Sequence, residues 1–188
     1  MKRYLPNALT ILRFLLVPVF LFFMFVSYHE QRNWYALGIF VLASITDYLD
    51  GMLARKYNVI SDFGKIMDPL ADKLLVLSAL AGLCWLPPYH LSKVVFFIIF
   101  ARELLVTILR EVYQRRGIVL AADKLGKLKT VMQMLGIITA FTFQAISGDV
   151  APAIRLSVSI WFWAVVAVTV ISGFKYLSVL TNKEPANA

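Results

Sequence analysis

The sequence predicts an all-α integral membrane protein: a bundle of about six transmembrane helices around a polar cavity open to the cytoplasm. Three observations carry this. The 188 residues are 60% hydrophobic and 16% charged, well past the apolar share of a soluble domain. Long apolar runs recur along the whole chain, joined by short turns such as Leu86-Pro87-Pro88 and Ser147-Gly148-Asp149. Four aspartates, Asp47, Asp50, Asp68 and Asp72, sit at the ends of two of these runs rather than in a polar loop.

Taken in order, the first span covers about residues 7–27. Lys2 and Arg3 ahead of it resemble the start of a signal peptide, but no A-x-A-like cleavage site follows and more apolar sequence does. The second span covers about residues 34–55, the third 63–86, the fourth 91–114, the fifth 125–146 and the sixth 152–180. Pro69, tolerated in a first helical turn, predicts that the regular third helix starts only shortly before Asp68. Residues 1–188 form a single domain with no linker, low-complexity segment or obvious repeat. Cys84 is the only cysteine, so no disulfide forms within the chain, and it reads as a small buried hydrophobe.

The loops set the orientation. Lys2 and Arg3, then Arg55, Lys56 and Lys65, then Arg115, Arg116, Lys124, Lys127 and Lys129, then Lys183 fall on one side of a six-span arrangement. The other side has Arg32 in its first loop, with Lys93 and Arg155 just inside the following helices. The positive-inside rule therefore places both termini and the Asp47–Asp72 connection in the cytoplasm. The net charge of +8 alternates with apolar spans, which points to the anionic leaflet and not to nucleic acid. Trp34 and Trp85 mark the outer interface, while Trp161 and Trp163, deeper in the last span, are expected to pack.

The chemistry lies in the acids. On helices, Asp47, Asp50, Gly51 and Ala54 make one stripe, and Gly64, Asp68 and Asp72 another. Four carboxylates cannot stay ionised together at low dielectric without cations, and oxygen-only ligands suit Mg²⁺, Mn²⁺ or Ca²⁺. Two such ions form a clamp for displacement at phosphorus. Gly51, Ala54 and Gly64 leave room for a diphosphate to approach the backbone. Asp72, the last acid of its stripe, is the candidate general base. Arg102 and Arg110 lie eight residues apart in the fourth span, where an intramembrane arginine is a functional-site candidate by default. With Lys127 at the cytoplasmic entrance they would make a pocket for a dianion; Glu103 and Glu111 offer structural salt bridges as the competing explanation. Lys129 reads as part of a solvated face.

The pattern Asp47-x2-Asp50-Gly51-x2-Ala54-Arg55-x8-Gly64-x3-Asp68-x3-Asp72 resembles the complete signature of the CDP-alcohol phosphotransferases. The resemblance implies a multi-helix membrane enzyme that moves a phosphatidyl or related group from a CDP-linked donor to an alcohol and releases CMP. It implies that Asp47, Asp50, Asp68 and Asp72 hold two divalent cations, Mg²⁺ or Mn²⁺, with Asp72 also the base. It further implies that CDP-diacylglycerol lies against Gly51, Arg55 and Ser61 and against Thr10 and Arg13 of the first helix, in a homodimer of the bacterial cytoplasmic (inner) membrane. PNALTILR, FGKIMDPLADK, ARELLVTILR and GKLKTVMQM resemble the branch whose acceptor is sn-glycerol 3-phosphate and whose product is phosphatidylglycerophosphate. Arg102, Arg110 and Lys127 would then bind the acceptor's phosphate. Sister transferases using inositol phosphate, serine or phosphatidylglycerol are the alternative within the family, and a divalent-cation transporter the alternative outside it.

Overall fold

A computed structural model describes residues 5–29, 31–57, 62–115 and 124–181; within these, the side chains of residues 5–10, 48–51, 53–57, 62–69, 115 and 175–181 lie outside the description. The described residues are all helical or in short turns. They form α1 (Leu5–Leu21) with a π-helical turn (Phe22–Val26), α2 (Arg32–Tyr57), α3 (Asp62–Trp85), α4 (Lys93–Arg115), α5 (Lys124–Ser147) and α6 (Pro152–Thr181). These bounds fall within two residues of the predicted spans. One expectation fails: α3 begins at Asp62 and runs through Pro69, so the proline does not mark the helix start. A proline removes a single N–H from the ladder, and an apolar helix with packed neighbours accommodates that loss.

The helix ends follow local chemistry. α3 stops at Trp85, ahead of Leu86-Pro87-Pro88, where two prolines withhold N–H groups and restrict the residues before them. α5 stops at Ser147 because Gly148 takes a left-handed φ of 63° and its N–H reaches back to the Gln144 carbonyl at 3.0 Å. α6 opens on Pro152, whose missing N–H has no helical partner in a first turn. After α1 the chain widens to a five-residue step, with the Ser27 N–H on the Phe22 carbonyl at 2.9 Å.

The six helices close a ring that does not follow chain order: α1 packs on α2, α2 on α5, α5 on α6, α6 on α4, α4 on α3 and α3 on α1. Phe20, Phe40 and Phe141 from α1, α2 and α5 meet with centroids 6.0–6.1 Å apart and are almost wholly buried. Gly136 lets α6 approach α5. A Cβ there would lie 2.7 Å from the Trp161 ring and 3.2 Å from Phe162, and the Trp161 indole N–H donates to the Met132 carbonyl at 2.9 Å. Trp161 thus packs as expected, whereas Trp163 points outward. At the end opposite the acids, the Tyr89 hydroxyl, which burial raises to about 12, donates to the Ala140 carbonyl at 2.7 Å. Gln144 there bridges Asn33 of α2 and the Pro87 carbonyl. Trp34 and Trp85 are both exposed at this end, and Cys84 is buried.

The outside is apolar. Leu15, Ile45, Leu74, Phe97, Leu135 and Ile160, one from each helix, are all substantially exposed. α5 and the Pro152–Phe174 stretch of α6 are long and apolar enough to cross a membrane, and only 33% and 28% of those windows are buried. A soluble core helix would be mostly covered, so an exterior of this kind fits a membrane protein.

Candidate active site

Asp47 on α2 and Asp72 on α3, the two of the four aspartates whose side chains are described, lie on helices that both pack against α1 and α5. α2 is a continuous helix through residues 47 and 50, and α3 through residues 68 and 72, so these backbone positions keep helical spacing. Asp47 and Asp72 lie within electrostatic reach of each other, and Asp72 is also in the field of Arg13, Lys129 and Lys73. Arg13, on α1, is completely buried and places Nη1 2.7 Å from Asp47 Oδ1. The Asp47 side chain stays 47% exposed. Burying a guanidinium requires such a partner. Among the described residues no three His, Cys, Asp or Glu side chains cluster at metal-binding distance. Asp50, Asp68, Thr10, Gly51 and Arg55 have side chains outside the described residues, and Ser61 lies outside them altogether.

Beside the acids stands a cationic group. Arg102 leaves α4 along two glycines: a Cβ on Gly126 would sit 3.5 Å from its Nη2, and one on Gly173 3.6 Å from its Cγ. Its Nη2 donates to Ser172 Oγ of α6 at 2.9 Å and its Nη1 to Glu103 Oε1 at 3.3 Å. Glu103 also pairs with Lys129 of α5. Lys73, next to Asp72 on α3, donates to Thr107 Oγ1 of α4 and lies in the field of Arg110 and Arg102. Lys129 in turn senses Arg102, Asp72 and Lys73. Four cations, Arg102, Arg110, Lys73 and Lys129, thus gather around Glu103 and Asp72, an excess of positive charge that suits a multiply charged anion.

The sequence-predicted residues divide accordingly. Arg13, Asp47 and Asp72 come together, and Arg102 and Arg110 converge on Lys73. Lys127 stands on the exposed face of α5. Lys129 was expected on a solvated face and is instead 4% exposed. The phase of α5 explains this: Gly136, Ile137 and Ala140 turn inward, and stepping back by about one turn at a time puts Gln133 and Lys129 on the same buried stripe, with Glu103 as counter-charge. Lys73 was missed, although FGKIMDPLADK places it beside Asp72; an ordinary lysine in a charged segment carries no signal of its own until α4 is packed against it.

The arrangement defines a class: helical membrane-type proteins with paired carboxylates beside a cationic cluster in the bundle. A sequence model of the CDP-alcohol phosphatidyltransferase family matches residues 3–175, and the chain belongs to that family. Among its relatives, a Rickettsia typhi protein named CDP-diacylglycerol–glycerol-3-phosphate 3-phosphatidyltransferase is 37% identical over 174 residues, 93% of this chain and 95% of that one. A Bacillus subtilis (strain 168) protein of the same name is 35% identical over 190 residues, covering 93% of each chain.

Proposed function

We propose that this protein transfers the phosphatidyl group of CDP-diacylglycerol to sn-glycerol 3-phosphate, giving phosphatidylglycerophosphate and CMP. The observation that carries the reading is the Asp47–Asp72 pair set beside the Arg102–Lys129–Lys73 cluster, in a chain whose relatives bear the name of that reaction. The carboxylates suit the donor's diphosphate when cations neutralise both, and the cationic cluster suits the dianionic phosphate of the acceptor.

Asp72 accepts the proton of the acceptor's primary hydroxyl. The freed oxygen attacks the β-phosphorus, which bears the diacylglycerol; the bond from that phosphorus to the bridging oxygen breaks, and CMP departs with the electron pair. Arg13 holds Asp47 in one orientation through the 2.7 Å contact, so the carboxylate is aimed before substrate arrives. Arg102, Arg110 and Lys127 bind the acceptor's phosphate, with Lys129 and Lys73 adding positive field from α5 and α3. Glu103 holds Arg102 and Lys129 side by side as their shared counter-charge. The family resemblance supports Thr10, Gly51, Arg55 and Ser61 as the residues that contact the nucleotide.

Asp47 and Asp72 offer hard oxygen donors whose mutual repulsion favours a divalent cation, and the Asp47 carboxylate is accessible, so the described residues fit such an ion. Asp47, Asp50, Asp68 and Asp72 would hold two of them, Mg²⁺ or Mn²⁺, supplying neutralisation of the diphosphate and acidification of the attacking hydroxyl. The lopsided basic loops and the bacterial relatives support six spans in a cytoplasmic (inner) membrane with the site facing the cytoplasm, and the family resemblance supports a homodimer. CMP release by purified protein from CDP-diacylglycerol, with glycerol 3-phosphate, inositol phosphate, serine and phosphatidylglycerol supplied in turn, tests the reading. Release with glycerol 3-phosphate alone supports it; release with another acceptor and not with glycerol 3-phosphate replaces it.

A further inference from the structure

Gln133 is buried to 2% exposure, and its amide nitrogen has no hydrogen-bond partner. A buried donor without an acceptor destabilises the fold, so a residue with a packing role alone is better served by Leu or Met at this position. The amide also stands at a particular level. It is nine residues into α5, Asp72 is ten residues into α3, and Asp47 is ten residues from the end of α2, so at about 1.5 Å per residue each lies roughly 14–15 Å from the end of its own helix. α5 packs against both α2 and α3, and Gln133 follows Lys129 by one turn on the same buried stripe.

We infer that Gln133 is a specificity-determining residue whose amide hydrogen-bonds the secondary hydroxyl of a glycerol-type phosphate acceptor. The inference rests on the proposed function and deepens it. Charge on the protein side is already matched: Arg13 pairs with Asp47, while Arg102, Lys73 and Lys129 lie within electrostatic reach of one another beside Asp72 and Glu103. Besides the attacking hydroxyl, the acceptor carries one more neutral hydroxyl, on the carbon adjacent to the one that bears the attacking oxygen. A carboxamide matches it, because it donates through nitrogen, accepts through oxygen and adds no charge to a crowded electrostatic site. Sites built to hydrogen-bond a hydroxyl discriminate strongly against the analogue that lacks it, since the protein group is then left unpaired.

The test compares kcat/KM for sn-glycerol 3-phosphate and for 3-hydroxypropyl phosphate, which keeps the primary hydroxyl and the phosphate but has no secondary hydroxyl. The wild-type protein should prefer glycerol 3-phosphate by about tenfold to a hundredfold. Gln133→Met should lose that preference by falling on glycerol 3-phosphate while holding its rate on hydroxypropyl phosphate, with the KM for CDP-diacylglycerol unchanged. Its Tm without substrate should equal or exceed that of the wild type, an outcome a structural hydrogen bond would reverse. Gln133→Asn, which keeps the amide one methylene short, should retain part of the preference. Equal treatment of the two phosphates by the wild-type protein overturns the inference without any variant, and so does an equal fall on both in Gln133→Met. Transfer to neither phosphate would fall on the proposed function itself and take this inference with it.

Discussion

Replacing Arg102 by Ala separates a substrate-binding arginine from a structural one. The side chain is 13% exposed, donates to Ser172 Oγ at 2.9 Å, and shares Glu103 with Lys129. Its structural share is limited: the Ser172 bond, from a charged donor, is worth about 1.5–3 kcal/mol, and Glu103 keeps Lys129 as a partner when Arg102 is gone. That predicts a Tm lower by about 3–12 °C for a chain of this size. Loss of a charge-assisted contact to a buried phosphate costs about 2–5 kcal/mol, which raises KM by about thirtyfold to a few thousandfold. The KM for glycerol 3-phosphate should therefore climb by that range while the KM for CDP-diacylglycerol holds. Ser172→Ala is the control, removing the structural bond and leaving the charge, so it should reproduce that Tm loss with both KM values intact. Arg102→Lys should rescue only partly, because an ammonium lacks the guanidinium fork. Arg110→Ala should follow Arg102→Ala, and exposed Lys127→Ala should show a smaller effect that weakens with salt. Both KM values and Tm, measured on the same detergent preparations, decide the matter: a parallel rise in the two KM values with a larger drop in Tm would remove Arg102 from the acceptor site.

Asp→Asn at 47, 50, 68 or 72 should each lower turnover by orders of magnitude while the protein still inserts and purifies, and EDTA should abolish activity that Mg²⁺ or Mn²⁺ restores; near-normal rates in two of the four variants would sink the metal assignment. In a Cys84→Ala background, Lys124→Cys and Ser147→Cys, exposed at the two ends of α5, should react with an impermeant maleimide from opposite sides of the membrane, and labelling of Lys124→Cys from outside intact cells would overturn the orientation. Gly136→Ala puts a methyl 2.7 Å from the Trp161 ring and should lower Tm through about 1–3 kcal/mol of overpacking, set against up to about 1 kcal/mol of helix propensity gained, whereas Gly38→Ala, with open space around it, should raise Tm or leave it unchanged.

The helices were legible because hydrocarbon-length apolar runs end at charged or Pro-containing turns, and both signals are local. The ring order was not. That α2 lies beside α5 and α4 beside α6 depends on side-chain fit between distant segments, such as Phe40 against Phe141 and Arg102 against Ser172. Pro69 misled because the rule that keeps proline near a helix start holds for helices in water, and a helix among packed neighbours tolerates the missing N–H. At the site, the aspartate spacing and the odd position of Arg102 stood out because acids and arginines are costly in apolar sequence. Lys129 did not, since a lysine near a span end usually reaches water, and only the inward phase of Gly136 and Ala140 together with Glu103 on another helix puts it inside. The Arg13–Asp47 pair joins residues on two helices, and no spacing rule connects them.

The central claim is the transfer itself, and the direct measurement is the fate of labelled glycerol 3-phosphate. Purified protein in detergent with CDP-diacylglycerol, Mg²⁺ and sn-[¹⁴C]glycerol 3-phosphate should move label into chloroform-extractable lipid in one-to-one proportion with CMP released, and Asp72→Asn should stop both together. CMP released without label entering lipid, or phosphatidyl transfer to serine or inositol phosphate in place of glycerol 3-phosphate, would contradict the account.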